Sequence, residues 1–350
     1  MAPPPRSLRR LVEAMPKAEL HLHLDGSLKI ATALELAASR GVDAPRDWGG
    51  MYDALVAPEQ CRDQAELLER FDLPIALMQD AEALERIAFE LVEAKAADNV
   101  RYLEVRWGPL LHVTRGLSLA DGIAAVARGT RAAADRFGVV ARLIATALRS
   151  RDPEDNVTLA ETAARFRDEG LLGFDLAGPE ERYPNPLAHE RAFAAARAGG
   201  LRITLHAGEW GGAPQVRRAL AVDPERIAHG PGAIDDPELC RELIARGVTL
   251  DLCPTSNVQA GIVPSVEAHP LARLHRAGVP VTLSTDDLTV SDVSLSEEYA
   301  RAVARIGLGV GELWAIDRHG LDVAFASPGD LDPVRAAFDA FEPIVERASD

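Results

Sequence analysis

The stretch AELHLHLDGS (residues 18–27) alternates leucine with polar residues, and two of those polar residues are His21 and His23. Alternation with a period of two marks a β-strand, in which side chains two apart project to the same side. The two imidazoles therefore point together. Histidine is scarce, nine residues in 350, so the pairing asks for a reason. A pair of core or surface histidines is one reading. A metal ion is the other, because neutral imidazole is the commonest nitrogen ligand for zinc.

Outward from this strand, seven more segments read as strands: VRYLEVRW (100–107), VVARLIATAL (139–148), LLGFDLAG (171–178), RITLHAG (202–208), RIAHG (226–230), VTLDLCP (248–254) and VTLSTDD (281–287). Between them lie segments such as AEALERIAFELVEAKAADN (81–99) and LSLADGIAAVARGTRAAADRFG (117–138), with apolar residues at three- and four-residue spacing. That spacing is the mark of amphipathic helices. Eight strand–helix units with right-handed crossovers predict an α/β fold, a (β/α)₈ TIM barrel, which typically takes about 250 residues. Most of the surplus lies between the first and second strands, where residues 27–99 predict extra helices capping the barrel mouth. No repeat or low-complexity linker divides the chain, so residues 1–350 are expected to form a single domain.

Composition narrows the function. The formal net charge is −16 and the pI about 5.1. Such a surface repels phosphate backbones and anionic membranes, so no nucleic acid and no membrane partner is expected. No run of about 18 apolar residues would span a bilayer. The leader MAPPPRSLRRLVEAMPKAEL lacks the apolar core of a signal peptide. Three cysteines, Cys61, Cys240 and Cys253, make no disulfide framework and suit a reducing compartment. The protein is expected to be cytoplasmic; the sequence sets no oligomeric state.

The strand ends carry the chemistry. The fifth strand finishes with His206 and Glu209 (HAGE), the sixth with His229, and the eighth with Asp286 and Asp287. Catalytic groups in barrel enzymes gather at the carboxyl ends of the strands.

Taken in order, PKAELHLHLDGS, LHAGE, RIAHG and LSTDD resemble the adenosine deaminase family of metal-dependent hydrolases. The segment RFDLPIALMQDAEALERIAFELVEAKAADNVRYLEVRWGP (70–109) is similar to that family's second-strand region, and GFDLAGPE (173–180) to its fourth-strand end. The resemblance implies one zinc ion per chain, held by His21, His23, His206 and Asp286. Lys17, Lys29 and Lys95 are the only lysines, and none sits at a strand end to bridge a second metal. Glu209 resembles the acid that protonates N1 of the purine, which requires burial to raise its pKa. His229 resembles the residue that orients the attacking hydroxide, and Asp287 the partner of the purine N7.

Asp25 resembles the group that binds the ribose hydroxyls, and Gly178 the glycine whose N–H meets N3. A turn-forming Asp25–Gly26 pair and a tight turn at Gly178 are the plain alternatives. Phe71 and Leu68 are candidates for an apolar lid. The resemblance implies deamination of adenosine or 2′-deoxyadenosine to the inosine product and ammonia. An adenine or aminodeoxyfutalosine deaminase with the same mechanism is the alternative. Two departures bear on substrate: Leu288 stands where proline often follows TDD, and the seventh strand ends in CPTSN (253–257), a version shared among several branches. His112, His189, His269, His275 and His319 are read as surface or capping residues.

Overall fold

The computed structural model describes residues 4–349. Eight parallel strands form one sheet in sequence order: β1 (Lys17–His23), β2 (Val100–Trp107), β3 (Val140–Leu148), β4 (Leu171–Ala177), β5 (Arg202–His206), β6 (Arg226–Ala228), β7 (Thr249–Leu252) and β8 (Val281–Leu283). The sheet curls until β8 reaches β1, and Asp286 makes the junction. Its N–H donates to the His21 carbonyl (3.1 Å) and its carbonyl accepts from the His23 N–H (2.7 Å). The fold is the expected (β/α)₈ barrel. Among the described residues, no helix is long and apolar enough to cross a membrane.

The helices form where the sequence marks their ends. Asp80 caps the helix Ala81–Ala97 by accepting from the Ala83 N–H at 2.8 Å. Ser118 caps Leu119–Phe137 in the same way, and Gly138, with φ of 66°, ends that helix in the left-handed region. These two helices pack side by side on the outside of the barrel, and at Gly129 the approach is so close that a Cβ would strike the Glu85 carbonyl. Between β1 and Ala81 the chain forms four further short helices, Ile30–Arg40, Trp48–Leu55, Gln64–Leu68 and Asp72–Leu77. Leu67, Leu68, Phe71 and Ile75 from this segment line a cavity shared with His23 and Glu209.

The apolar core lies between sheet and helices. Ala18 and Leu20 of β1 face the helix Val310–Asp322, where Gly320 permits the approach. Inside the barrel the packing is charged rather than aliphatic. Glu104, Arg106, Asp175, Arg226 and Asp251 are all fully buried. Arg226 bonds Glu104 and lies 3.3 Å from Asp251, while Arg106 reaches Asp251 (3.7 Å) and Asp175 (3.5 Å).

Candidate functional site

Two of the site's carrier segments end in short, strained turns. His229 and Asp286, just past β6 and β8, have φ of 67° and 69°, a left-handed conformation uncommon for side chains with a Cβ. These two positions therefore lie beyond the strands rather than in them. β1 also departs from regular pairing: between the pairs Glu19–Leu103 and Leu22–Val105 it carries one more residue than β2. Such a bulge re-aims side chains, and here it does so next to His21 and His23.

The structure brings His21, His23, His206 and Asp286 together. The His23 Nε2 lies 3.3 Å from that of His21 and 3.1 Å from that of His206. The Asp286 Oδ1 lies 3.0 Å from His21 Nε2 and 3.4 Å from His23 Nε2. His229 stands beside them, its Nε2 3.7 Å from Asp286 Oδ2 and 3.7 Å from Glu209 Oε1. The donor atoms of His21, His206, His229 and Asp286 all lie within 4.8 Å of one another. A tetrahedral ion with bonds of about 2.0–2.1 Å keeps its ligand atoms about 3.3 Å apart, the spacing seen around His23. Burial holds His21 well below its ordinary pKa and pulls His23 down to about 4 and His229 to about 3. Burial works against the Asp286 charge, but His21 and His229 hold its carboxyl well below the usual range. Neutral imidazoles around one carboxylate are the donor chemistry a divalent transition metal requires.

Two neighbouring carboxyls behave in the opposite way. Burial, reinforced by repulsion from Asp286, Glu180 and Asp287, pushes Glu209 well above its ordinary value. Burial and the neighbouring Asp286 and Asp25 do the same to Asp287, whose Oδ1 is buried without a partner. Both line a cavity of about 410 Å³ together with His23, Asp25 and Gly178, within the range of small-ligand sites. Gly178 has φ of 109°, a conformation that favours glycine. Asp25 is buried in the wall, one oxygen bonded to His112 Nε2 and the other accepting from the Gly108 N–H at 3.0 Å. His112 opposes the effect of burial and holds the Asp25 carboxyl low.

Several supporting residues escape a reading of the sequence. Asp175 receives the His206 Nδ1–H, with Nδ1 3.0 Å from Oδ2 and 3.1 Å from Oδ1; a carboxylate inside the apolar run LLGFDLA was the available signal. Ser256 of CPTSN donates to Asp286 Oδ2 at 2.6 Å. Glu180 accepts from the N–H groups of Gly208, Trp210 and Gly211, clamping the turn that carries Glu209. Three of the histidines read as surface or capping residues are buried rather than on the surface, and of these His269 does cap, its Nδ1 accepting from the Leu271 N–H at the start of the helix Leu271–Arg276. His112, His189 and His269 are buried at 1%, 4% and 3% exposure. His112 bonds Asp25 and the Met78 carbonyl, His189 bonds Asn156, and His269 bonds Asn257. Each is held by a residue distant in sequence, which helix or loop context does not reveal.

Residues 16–333 match the adenosine deaminase family model. The chain belongs to the adenosine deaminase family. An adenosine deaminase from Clostridium perfringens is 37% identical over 316 residues, 89% of this chain and 95% of the relative. A crystal structure of an amidohydrolase from Burkholderia ambifaria with bound zinc superposes with a TM-score of 0.89 at 29% identity, covering 98% of this chain and 94% of the other. An adenine deaminase from Arthrobacter aurescens superposes with a TM-score of 0.87 at 26% identity, covering 94% and 99%.

Proposed function

We propose that this member of the adenosine deaminase family hydrolyses adenosine and 2′-deoxyadenosine to the corresponding inosine and ammonia, as one catalytic domain in the cytoplasm. The observation that carries the reading is the meeting of a His/His/His/Asp donor set with two buried carboxyls, Glu209 and Asp287, at one cavity, where burial and neighbouring carboxylates raise both pKa values. His21, His23, His206 and Asp286 would hold one zinc ion. Bound there, zinc supplies Lewis acidity able to lower the pKa of water to about 7.

The chain's own residues then divide the work. Glu209, protonated by virtue of its burial, delivers a proton to N1 as the water oxygen adds to C6. His229, 3.7 Å from Glu209, orients the attacking oxygen and opposes the charge that develops. The C6–N6 bond breaks; of the two protons that the water oxygen sheds, one joins N6, which leaves as ammonia, and the other restores Glu209, while C6 keeps the oxygen as the carbonyl of the product. Asp287 retains a proton and has an unpartnered oxygen, so it suits a hydrogen bond to N7. The Gly178 N–H suits N3. Phe71 and Leu68 exclude water above the ring.

Asp25 is the substrate discriminator in this reading, its free lone pairs offered to ribose hydroxyls. The likeness to an adenine deaminase keeps a second reading in view, in which the same machinery acts on the free base; aminodeoxyfutalosine is the other alternative. Ammonia release from the zinc-loaded protein with adenosine, 2′-deoxyadenosine, adenine and aminodeoxyfutalosine decides between them. The nucleosides should lead; turnover of adenine or aminodeoxyfutalosine alone would overturn the substrate assignment and leave the mechanism.

A further inference from the structure

Behind His229, on the side away from the cavity, runs a chain of three hydrogen bonds whose polarity is set at one end by the backbone. The Leu271 N–H, which can only donate, points at His269 Nδ1 (3.2 Å). That nitrogen must be the acceptor, so in a neutral ring the proton sits on Nε2. The His269 Nε2 lies 3.1 Å from Asn257 Oδ1 and donates to it. The oxygen of Asn257 being thus engaged, its amide nitrogen faces His229 Nδ1 at 3.1 Å and donates in turn. His229 Nδ1 is the last acceptor. All three residues are buried, His269 at 3%, Asn257 at 0% and His229 at 1% exposure. Burial also pulls His269 down to about 3, consistent with a neutral ring.

We infer that Asn257 and His269 are positioning residues that fix His229 as the Nε2–H tautomer. This rests on, and deepens, the role given to His229 above. The consequence is chemical. With its proton on Nε2, His229 presents a donor to the cavity and to Glu209 and Asp286, both 3.7 Å away. It then has no lone pair on that nitrogen with which to bind a metal. The relay thereby separates His229 from His21, His23 and His206, although its ring centre lies 4.8 Å from that of His21 and 5.3 Å from that of His206.

The test reads the tautomer directly. In ¹⁵N-histidine-labelled, zinc-loaded protein, with His229→Ala identifying the resonances, His229 should show a protonated Nε2 and an unprotonated Nδ1 in the absence of substrate. Asn257→Asp replaces the donor by a carboxylate, which should draw the proton to Nδ1. Zinc content and KM should be unchanged and kcat lowered about tenfold to a hundredfold, the usual effect of losing such a support. His269→Gln, which can still donate to Asn257 and accept from Leu271, should retain the wild-type signature and most of kcat. A proton on Nδ1 in the wild type, or a tautomer that stays put in Asn257→Asp, would overturn the inference. A tautomer that shifts while kcat stays within twofold of wild type would instead refute the role assigned to His229.

Discussion

Replacing Asp175 by asparagine should weaken metal binding through His206 without touching a ligand. Asp175 is fully buried, and its oxygens have no spare side. Oδ1 meets the Leu176 N–H at 2.7 Å; Oδ2 meets the Thr146 hydroxyl at 3.1 Å and Arg106 at 3.5 Å; both lie about equally near His206 Nδ1. An amide must turn its NH₂ toward one of these groups of donors. If it faces His206, it donates to Nδ1 and forces the proton to Nε2, the nitrogen that must be bare to bind a metal. If it faces Arg106, it leaves a guanidinium opposite an amide N–H. Loss of such a support typically lowers metal affinity about 10–100-fold, or roughly 1.4–2.8 kcal/mol. Breaking one side of a buried pair adds a folding cost of about 3 kcal/mol, at the low end of its range, because Arg106 keeps the Leu20 carbonyl at 2.8 Å and Asp251. Zinc competition with a chromogenic chelator measures the first term, and denaturant unfolding of the metal-free protein the second. Burial opposes the Asp175 charge, but His206 and Arg106 hold its carboxyl far below the usual range. Its stabilisation is thus complete above about pH 4 and lost as pH falls, and the asparagine variant should lack that acid limb. An Asp175→Asn variant that binds zinc within twofold of wild type would refute the tautomer reasoning.

Two further outcomes test carboxyls whose pKa values burial raises. Glu209→Gln keeps the shape and the donor set but cannot deliver a proton, so zinc content should persist while kcat falls about 10²–10⁴-fold; normal turnover in the zinc-loaded variant would rule Glu209 out as the acid. Asp317 caps the Ala18 N–H at 2.8 Å, and burial raises its pKa to about 7. The folded state binds that proton more tightly than the unfolded chain, so stability should be fullest below about pH 4 and decline as pH rises to about 7. The fall amounts to about 4 kcal/mol if no neighbour compensates. Asp317→Asn should flatten this decline in chemical denaturation between about pH 5 and 8, and an unchanged pH profile would show that the buried carboxyl is not its source.

Some of this was legible because the code is local. VRYLEVRW is a strand from end to end, since a parallel strand flanked by helices needs a continuous buried run bounded by turns. His21 and His23 are legible because alternation alone puts them on one side. RIAHG and VTLSTDD read as longer strands than they are, because His229 and Asp286 take left-handed turns that no residue type announces. The supports were illegible for another reason. His112 meets Asp25 across 87 residues and Asp175 meets His206 across 31. A lone histidine looks the same in a sequence whether it lies on the surface or beneath a ligand, and Asp175, marked by its apolar run LLGFDLA, gives no sign of which residue it holds.

The charged interior joins these two classes. A (β/α)₈ barrel usually fills its centre with branched aliphatic layers, and buried ion pairs seldom stabilise more than apolar residues of the same volume would. The column in this barrel has a geometric use instead. Phe325 stacks on Arg226, whose guanidinium carbon lies 3.8 Å from the ring centre. Arg226 engages Glu104 and Asp251, Asp251 is also held by the Thr282 hydroxyl at 2.7 Å, and Arg106 spans from Asp251 to Asp175. Each group is fixed from two sides, and the last one, Asp175, determines which His206 nitrogen carries the proton. Aliphatic residues would fill the same space but leave Asp175, the acceptor for His206, without a cation. The bottom of the barrel is therefore part of the site, because the orientation of the donor atoms at the top depends on it.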